Sequence, residues 1–240
     1  MRSGDDYSVD AFLRAYLETG ASSVGPLARE GKRVLRIDVT ESKGIVIKPG
    51  SAIAYRGDIR FERLPTLGAD TLLEMVSREI VPFVRAIGEG RLYCASTGWF
   101  VHLLSLKGET VFVNGEILLA FEEALDHEFT LPGIAGVLAG GFFTVKLSGT
   151  GMVAIGVQGD PLALPVTAGS PVFTDPHATL AWSAGLSTEL KTDLSWRSLV
   201  RRGGDEPVQF QFEGEGHVTV QPSERAPLLS AKRLKELIGW

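Results

Sequence analysis

A short pattern that recurs three times constrains this chain more than any other feature of its sequence. Each copy is a glycine-containing turn followed by alternating apolar residues, and the copies are Thr97–Leu103, Thr150–Ile155 and Glu215–Val220. A repeat of this kind is typically one supersecondary element that cannot bury its apolar face alone and packs against its copies. The repetition therefore predicts three related β-units within one body.

A second phrase repeats outside these turns. Ile47–Tyr55 and Val113–Phe121 have the same number of steps from a β-branched residue to an alanine that precedes an aromatic residue. A looser echo of the phrase ends at Ala181 and Trp182. Because β-branched and aromatic residues are enriched in strands, the phrase predicts a strand at the same place in each unit.

The predicted fold is all-β, with three related units in a pseudo-threefold barrel or sandwich. A chain of 240 residues with 44% hydrophobic residues can bury a large core, and all-β domains of this size occur as single bodies. The predicted divisions are an N-terminal helical arm and linker over 1–32, a β domain over 33–222 and a C-terminal helix over 223–240. Within the β domain we place the units at 33–88, 89–140 and 141–222.

Short helices are predicted at three places. Residues 8–19 offer Ser8 as an N-cap and apolar residues on one face, and we expect this helix to pack on another part of the protein. Residues 68–81 have apolar residues at helical spacing before Pro82, which ends or kinks the helix. Residues 227–240 form a basic amphipathic helix.

The charge and the cysteine content narrow the functional classes. The formal net charge of -5 at pH 7 argues against nucleic-acid binding, which draws most of its affinity from clustered basic residues. Cys94 is the single cysteine, so no intramolecular disulfide is expected, and its apolar surroundings indicate a small buried side chain. We therefore expect no nucleic-acid partner and a reducing compartment.

Targeting and membrane signals point the same way. The first residues have no apolar segment of the type found in secretory signals. The most lipid-like stretch, Leu131–Val145, contains Pro132 and falls short of the roughly 20 residues that a spanning helix needs. We expect a cytoplasmic location, with peripheral binding to a membrane surface left open.

Common catalytic signatures are missing from the sequence. It contains no Gly-x-Ser-x-Gly elbow, no phosphate-binding loop, no His-Glu-x-x-His and no Cys-x-x-Cys. The histidines are isolated along the chain, without a His-x-His pair that places two ligands on one face of a strand: His102, His127, His177 and His217. We therefore predict no catalytic, cofactor or metal residues, and we expect a protein that is not an enzyme.

The C-terminal helix is the candidate partner-binding element. Its apolar residues are Leu234, Leu237, Ile238 and Trp240. Such a helix binds the groove of a partner or a membrane surface, and the same pattern also fits a helix docked on its own body.

Two hypotheses for the function follow from these features. The first is a non-enzymatic β-scaffold that binds a protein partner or assembles with itself, since exposed strand edges in β-proteins pair unless they are covered. The alternative is a small-molecule or metal-binding β-barrel, or an enzyme, that uses His102, His127 or His217.

Three stretches also carry a resemblance to a known family. They are Val113–Phe121, Gly140–Val153 and Phe212–Pro222. With them, the sequence between about residues 33 and 222 resembles the altered-inheritance-of-mitochondria protein 24 family, whose fold is described as similar to that of the tryptophan RNA-binding attenuator protein. The matching positions are glycine turns and core residues.

The resemblance implies a fold more than an activity. Members of this family look like non-enzymatic β-proteins with three related units around a pseudo-threefold axis, and mitochondrial members are linked to inner-membrane organisation. No catalytic residue is carried over, because none of the matching positions is catalytic in the family. This sequence also lacks the lysine-rich rim that would support RNA binding.

Overall fold

The computed structural model describes residues 8–18, 25–40, 42–64, 83–130, 143–192 and 208–222 of the chain. These residues are mostly in β-strands, which confirms the predicted all-β class. The predicted helices over 68–81 and 227–240 lie outside the described residues and stay predictions.

The helix α1 spans Val9–Tyr16. The strands are β1 (Leu27–Glu30), β2 (Val34–Asp38), β3 (Ile45–Ile47), β4 (Ala52–Arg63), β5 (Val84–Cys94), β6 (Phe100–Asn114), β7 (Leu118–Glu122), β8 (Asp126–Thr130), β9 (Thr144–Val157), β10 (Leu162–Val166), β11 (Val172–Thr174), β12 (Thr179–Ser183), β13 (Leu186–Thr192), β14 (Val208–Gly214) and β15 (Gly216–Val220).

Helix α1 lies where the sequence predicts an N-terminal helix. It begins directly after Ser8, and Asp10 in its first turn forms an ion pair with Arg14 one turn later. Three of its apolar side chains are nevertheless exposed: Val9, Leu13 and Tyr16. The expectation that this helix packs on another part of the protein is therefore not met by these three side chains. In that same part of the chain, no helix has the length and apolar character needed to span a membrane.

Twelve strands form one antiparallel sheet, and β11, β14 and β13 form a second sheet of three strands. Neighbours in the large sheet follow the order β1-β2-β5-β3-β7-β9-β6-β12-β15-β10, with β4 added on β5 and β8 added on β9. Its terminal strands β1 and β10 do not pair with each other in the described part of the chain. The predicted barrel is thus wrong for this part, because the sheet stays open.

Three turns in the β domain make the same backbone hydrogen bonds. We call Lys48–Ser51, Asn114–Ile117 and Asp175–Ala178 the first, second and third turn. The bond inside each turn runs from an N–H to the carbonyl three residues earlier: Ser51 to Lys48 (3.1 Å), Ile117 to Asn114 (3.2 Å) and Ala178 to Asp175 (3.1 Å). The last carbonyl of each turn then accepts a bond from a later strand end: from Ala95 (2.8 Å), Gly156 (2.8 Å) and Gln221 (2.9 Å).

The strand after each turn carries a β-bulge at the same step. The Cα partners that flank the bulge are Ala52–Cys94 and Ala54–Tyr93 after the first turn, Leu118–Ile155 and Ala120–Ala154 after the second, and Thr179–Val220 and Ala181–Thr219 after the third. One residue is therefore skipped at each place, which bends the strand locally.

Glycines with positive φ lie within strands or at a strand end. Gly88 in β5 and Gly149 in β9 have φ angles of 120° and 109°, and Gly214 at the end of β14 has 118°. A Cβ on Gly88 would lie 2.1 Å from the backbone oxygen of Asp58. This position therefore requires glycine, and β5 stays paired with β4 through it.

One of the three predicted glycine turns is wrong. Thr150 and Gly151, predicted to form a turn, lie within β9, whereas Gly98, their expected match, lies in a turn before β6. A glycine in the sequence therefore does not distinguish a turn between strands from a position within a strand.

The core consists of three buried clusters. One surrounds Phe121, one surrounds Leu92 and the third surrounds Trp182 and Phe212. Cys94 is fully buried in the second cluster, which confirms the prediction of a small core residue. Burial raises the pKa of its thiol to about 11 against a weaker opposing hydrogen bond with Ser51, so the thiol stays protonated at neutral pH.

A charge cluster anchors the residues that follow α1. Glu18 accepts a hydrogen bond from Arg91 Nη1 at 2.9 Å, and its carboxylate lies 3.1 Å from Arg56 Nη2 and 3.8 Å from Arg36 Nη1. Burial acts to raise the pKa of Glu18, but a hydrogen bond with Tyr93 and the two arginines Arg56 and Arg91 outweigh it and lower the pKa. The N-terminal arm is thus held at this point on β4 and β5.

Candidate functional site

The strand before the first turn pairs with the strand after the second turn. We call this pairing of β3 with β7 the first junction. Its Cα partners are Ile47–Ala120, Val46–Phe121 and Ile45–Glu122. Lys48 adds two hydrogen bonds across it, from its backbone N–H to Leu119 O at 2.9 Å and from Nζ to Glu116 O at 2.7 Å. The side chains of Val46 and Phe121 are fully buried there.

The strand before the second turn pairs with the strand after the third turn in the same way. We call this pairing of β6 with β12 the second junction. Its Cα partners are Val113–Ala181, Phe112–Trp182 and Val111–Ser183. Asn114 Nδ2 donates a hydrogen bond to Thr179 O at 3.0 Å. The rings of Phe112 and Trp182 stack with 5.6 Å between centroids and 10° between planes.

A third junction of this type would join the strand before the third turn, β11, to the strand after the first turn, β4. Among the described residues β11 pairs only with β14, and β4 pairs only with β5. The register of the first two junctions would place Thr174 opposite Ala54 and Phe173 opposite Tyr55. We call these two strands the open edges.

The open edges expose side chains whose counterparts are buried. Tyr55 is 58% exposed, whereas Phe121 and Trp182, one residue after the same alanine, are 0% and 7% exposed. Phe173 is 51% exposed. Likewise the skipped residue of the first bulge, Ile53, is 58% exposed, whereas the skipped residues of the other two, Leu119 and Leu180, are buried. Large apolar groups thus remain in solvent where a third junction would cover them.

A cleft of about 300 Å³ lies beside the second junction. Its lining residues are Phe112, Thr130, Thr144, Trp182, Leu186, Thr188, Leu190 and Phe210. Trp182 also contacts Phe210, with 6.1 Å between ring centroids. These lining residues combine aromatic and aliphatic groups with threonine hydroxyls, and none of them is charged.

The corresponding space at the first junction is filled by Phe83. This residue precedes Val84, the partner of Ile47, just as Thr144 precedes Val145, the partner of Val113. The Phe83 ring is 4% exposed, stacks on Phe129 with a centroid distance of 5.5 Å and lies 6.2 Å from Phe121. Thr144 is much smaller than phenylalanine, which accounts for the cleft at the second junction.

The histidines of the alternative hypothesis are not brought together. His102, His127 and His217 lie opposite Ile155, Leu147 and Pro165 in their strand pairs. His127 packs edge to face with Phe129 and against Phe121, with centroid distances of 5.5 Å and 5.2 Å. The described residues contain no group of three His, Cys, Asp or Glu side chains able to hold a metal ion.

One carboxyl group at the first junction has a shifted pKa. Burial raises the pKa of Glu122, and a hydrogen bond from the backbone of Met152 partly opposes the shift. At the same position of the second junction stands Ser183, which does not ionise. The two junctions therefore differ in charge as well as in filling.

The predicted partner-binding residues of the C-terminal helix, Leu234, Leu237, Ile238 and Trp240, lie outside the described residues. Sequence reasoning missed the open edges and the cleft. The repeated phrase does place Tyr55 level with Phe121, but nothing in the phrase tells which copy remains uncovered.

A family model matches most of the chain. The family model described as Mitochondrial biogenesis AIM24 matches residues 27–223. The chain belongs to this family. The resemblance given by the glycine and core positions of the sequence is thereby confirmed.

A solved structure shows a similar fold. The crystal structure of protein SPYM3_0169 from Streptococcus pyogenes has a TM-score of 0.64 and 18% sequence identity, over 89% of this chain and 95% of that chain. At this identity the similarity concerns the fold alone. No protein with a curated description matches the chain in sequence.

Proposed function

We propose that this member of the AIM24 family is a non-enzymatic β-scaffold that assembles with itself. In this proposal β11 of one copy pairs with β4 of the next and forms the third junction between chains. The observation that carries it is the exposure of Tyr55 and Phe173, while the equivalent pair Phe112 and Trp182 is stacked at the second junction. The proposal that the protein is not an enzyme rests on the missing catalytic signatures in the sequence.

The open edges are suited to this pairing because β11 is a strand before a turn and β4 is a strand after a turn. In the two junctions within the chain, a strand before a turn binds a strand after the next turn. The three turns, the bulges and the glycines with positive φ support a division into three β-units of one pattern. We propose to place these units at 34–95, 100–157 and 161–222, in place of the bounds 33–88, 89–140 and 141–222 drawn from the sequence. The last unit then offers β11, a strand before a turn, and the first unit offers β4, a strand after a turn.

Exposed strand edges with large apolar side chains pair with other strands unless they are protected. Pairing here adds backbone hydrogen bonds and a stacked aromatic pair, which together resemble the packing at the second junction. Because two different surfaces meet, the contact is head-to-tail and yields a ring if the rotation closes or a filament if it does not.

The test uses the full chain and one charged substitution on each edge. We expect the wild type to sediment as an assembly at tens of micromolar, whereas Tyr55→Lys and Phe173→Lys each sediment as monomers. Loss of a central aromatic residue costs about 2 kcal/mol or more, which raises the dissociation constant about thirtyfold or more. Analytical ultracentrifugation measures both results.

A mixture of the two variants gives the sharpest outcome. Tyr55→Lys retains an intact β11 and Phe173→Lys retains an intact β4, so an equimolar mixture should form dimers and nothing larger. Leu162→Lys, at an exposed apolar residue on the edge strand β10, is the matched control and should assemble like the wild type. A monomeric wild type overturns the proposal, as does loss of assembly in the control with retention in the two edge variants.

The C-terminal helix remains a second proposed route to partners. Alanine at Leu234, Leu237 and Ile238 should abolish capture of a protein partner without unfolding the β domain. Unchanged capture by this variant would exclude the helix as the binding element.

A cytoplasmic location stays a prediction, and fractionation of cells that produce the protein tests it.

A further inference from the structure

We propose that the cleft at the second junction binds a neutral, planar aromatic molecule of one or two rings that carries a polar group. This proposal does not rest on self-assembly, because the described residues that line the cleft belong to β6, β8, β9, β12, β13 and β14 of one chain and not to the open edges β4 and β11.

The lining selects for ring shape and for neutrality. Phe112, Trp182 and Phe210 present aromatic surface, and Leu186 and Leu190 add aliphatic surface. Aromatic rings favour offset-stacked and edge-to-face contacts with another ring. A charged ligand would lose its hydration without gaining an ion pair from the described lining, which contains no charged side chain.

Three hydroxyl groups favour a polar substituent on the ring. Thr130 and Thr144 are Cα partners on adjacent strands, and Thr188 belongs to β13. Each hydroxyl both donates and accepts a hydrogen bond, so a phenolic O–H or a similar group finds a partner. This mixture of apolar walls and few polar groups is typical of small-molecule sites.

The first junction indicates what kind of group fits the cleft at the second junction. The same position there holds the phenyl ring of Phe83, stacked on Phe129. At the second junction the equivalent position holds Thr144, so no ring is present there, although the strand register around it is the same. An apolar cavity of about 150 Å³ is enough to hold benzene in another protein. The volume of about 300 Å³ therefore accommodates one or two rings.

Phenol is the probe for this site. We expect saturable binding of one phenol per chain, measured by ligand-observed NMR titration, with intermolecular nuclear Overhauser contacts to the Trp182 indole. Thr144→Phe should reduce affinity at least tenfold, because its ring occupies the cleft as Phe83 occupies the first junction. Thr150→Phe places the same substitution at an exposed site of the same strand and should bind phenol like the wild type.

A gain of binding completes the test. Phe83→Thr should open a matching cleft at the first junction and raise the stoichiometry from one phenol to two. The proposal is overturned if the wild type does not bind phenol, or if Thr144→Phe binds as well as Thr150→Phe. A folded Phe83→Thr chain that still binds only one phenol also overturns it. If Thr144→Phe does not fold, contacts of phenol with residues other than Trp182 and its neighbours in the cleft are the contradicting result.

Discussion

The two junctions share one backbone arrangement but differ in what fills the space beside it. At both, a strand before one turn pairs with the strand after the next, and the residue after the alanine is a buried aromatic, Phe121 or Trp182. The first junction is closed by Phe83 and carries a carboxyl group at Glu122, whereas the second leaves a cleft over Thr144. The turns and bulges thus give both junctions the same register, and a single side chain, Phe83 or Thr144, decides whether the space beside the junction is filled.

The largest expected effect comes from comparing a covered aromatic residue with an uncovered one. Phe121→Ala removes a fully buried ring and should lower the free energy of unfolding by about 3–5 kcal/mol. Tyr55→Ala, at the equivalent exposed position, should lower it by less than about 1 kcal/mol. Urea denaturation in a Phe173→Lys background, which keeps the chain monomeric, measures both. Equal losses for the two variants would show that Tyr55 is covered within one chain.

An intermediate effect is expected when Phe83 at the first junction is replaced by threonine, the residue at the equivalent position of the second junction. Phe83→Thr should cost about 2–4 kcal/mol, because it opens a cavity and places a hydroxyl group among apolar side chains. The reverse change, Thr144→Phe, should cost much less, since a cleft is already present to receive the ring. Thermal denaturation of the two variants beside the wild type gives the ranking. A larger loss for Thr144→Phe would show that the two positions are not equivalent in packing.

The smallest expected effect concerns the charge at the first junction. Because burial raises the pKa of Glu122, the folded state favours the protonated carboxyl. The stabilising contribution is fully present below the ordinary value of 4.5 and is lost as the pH rises through the raised pKa. Glu122→Gln keeps an oxygen for the Met152 N–H and should be more stable than the wild type at neutral pH.

The difference between Glu122→Gln and the wild type should shrink as the pH falls through the raised pKa of Glu122 towards 4.5, and it should change no further below that value. Urea denaturation of both proteins at several values between about pH 4 and pH 7 measures how the difference in the free energy of unfolding depends on pH. Ser183→Ala, at the same position of the second junction, is the control and should give a difference from the wild type that does not change with pH. A constant difference for Glu122→Gln would contradict the assignment.

Much of the fold could be predicted from the sequence because strands and turns leave local signals. Alternating apolar residues identify the strand after each turn, and the phrase that ends at Tyr55, Phe121 and Trp182 places these residues at one position. The predicted turn at Thr150 and Gly151 is wrong because Gly149, with positive φ, and Gly151 lie within the continuous strand β9, where glycines give the same sequence signal as a turn.

The candidate sites were much harder to predict because they depend on which strand covers which. Tyr55 and Phe121 have similar sequence surroundings, yet among the described residues Phe121 pairs with strands on both sides whereas Tyr55 pairs with one strand alone. Phe83 and Thr144 become comparable only after the strand register is known, since they lie outside the repeated phrase. A single sequence carries the pattern of each unit and little about the contacts between units.

Strands from different units pair with each other, and this pairing affects how the protein unfolds. In a solenoid, terminal repeats fray while the middle stays folded, since each repeat contacts only its neighbours. Here β9 pairs with β6, β7 and β8, while β7 is also bound by β3 from before the first turn. Amide protons of β9 should therefore exchange with solvent only through global opening, and no single repeat can be excised to leave a folded remainder.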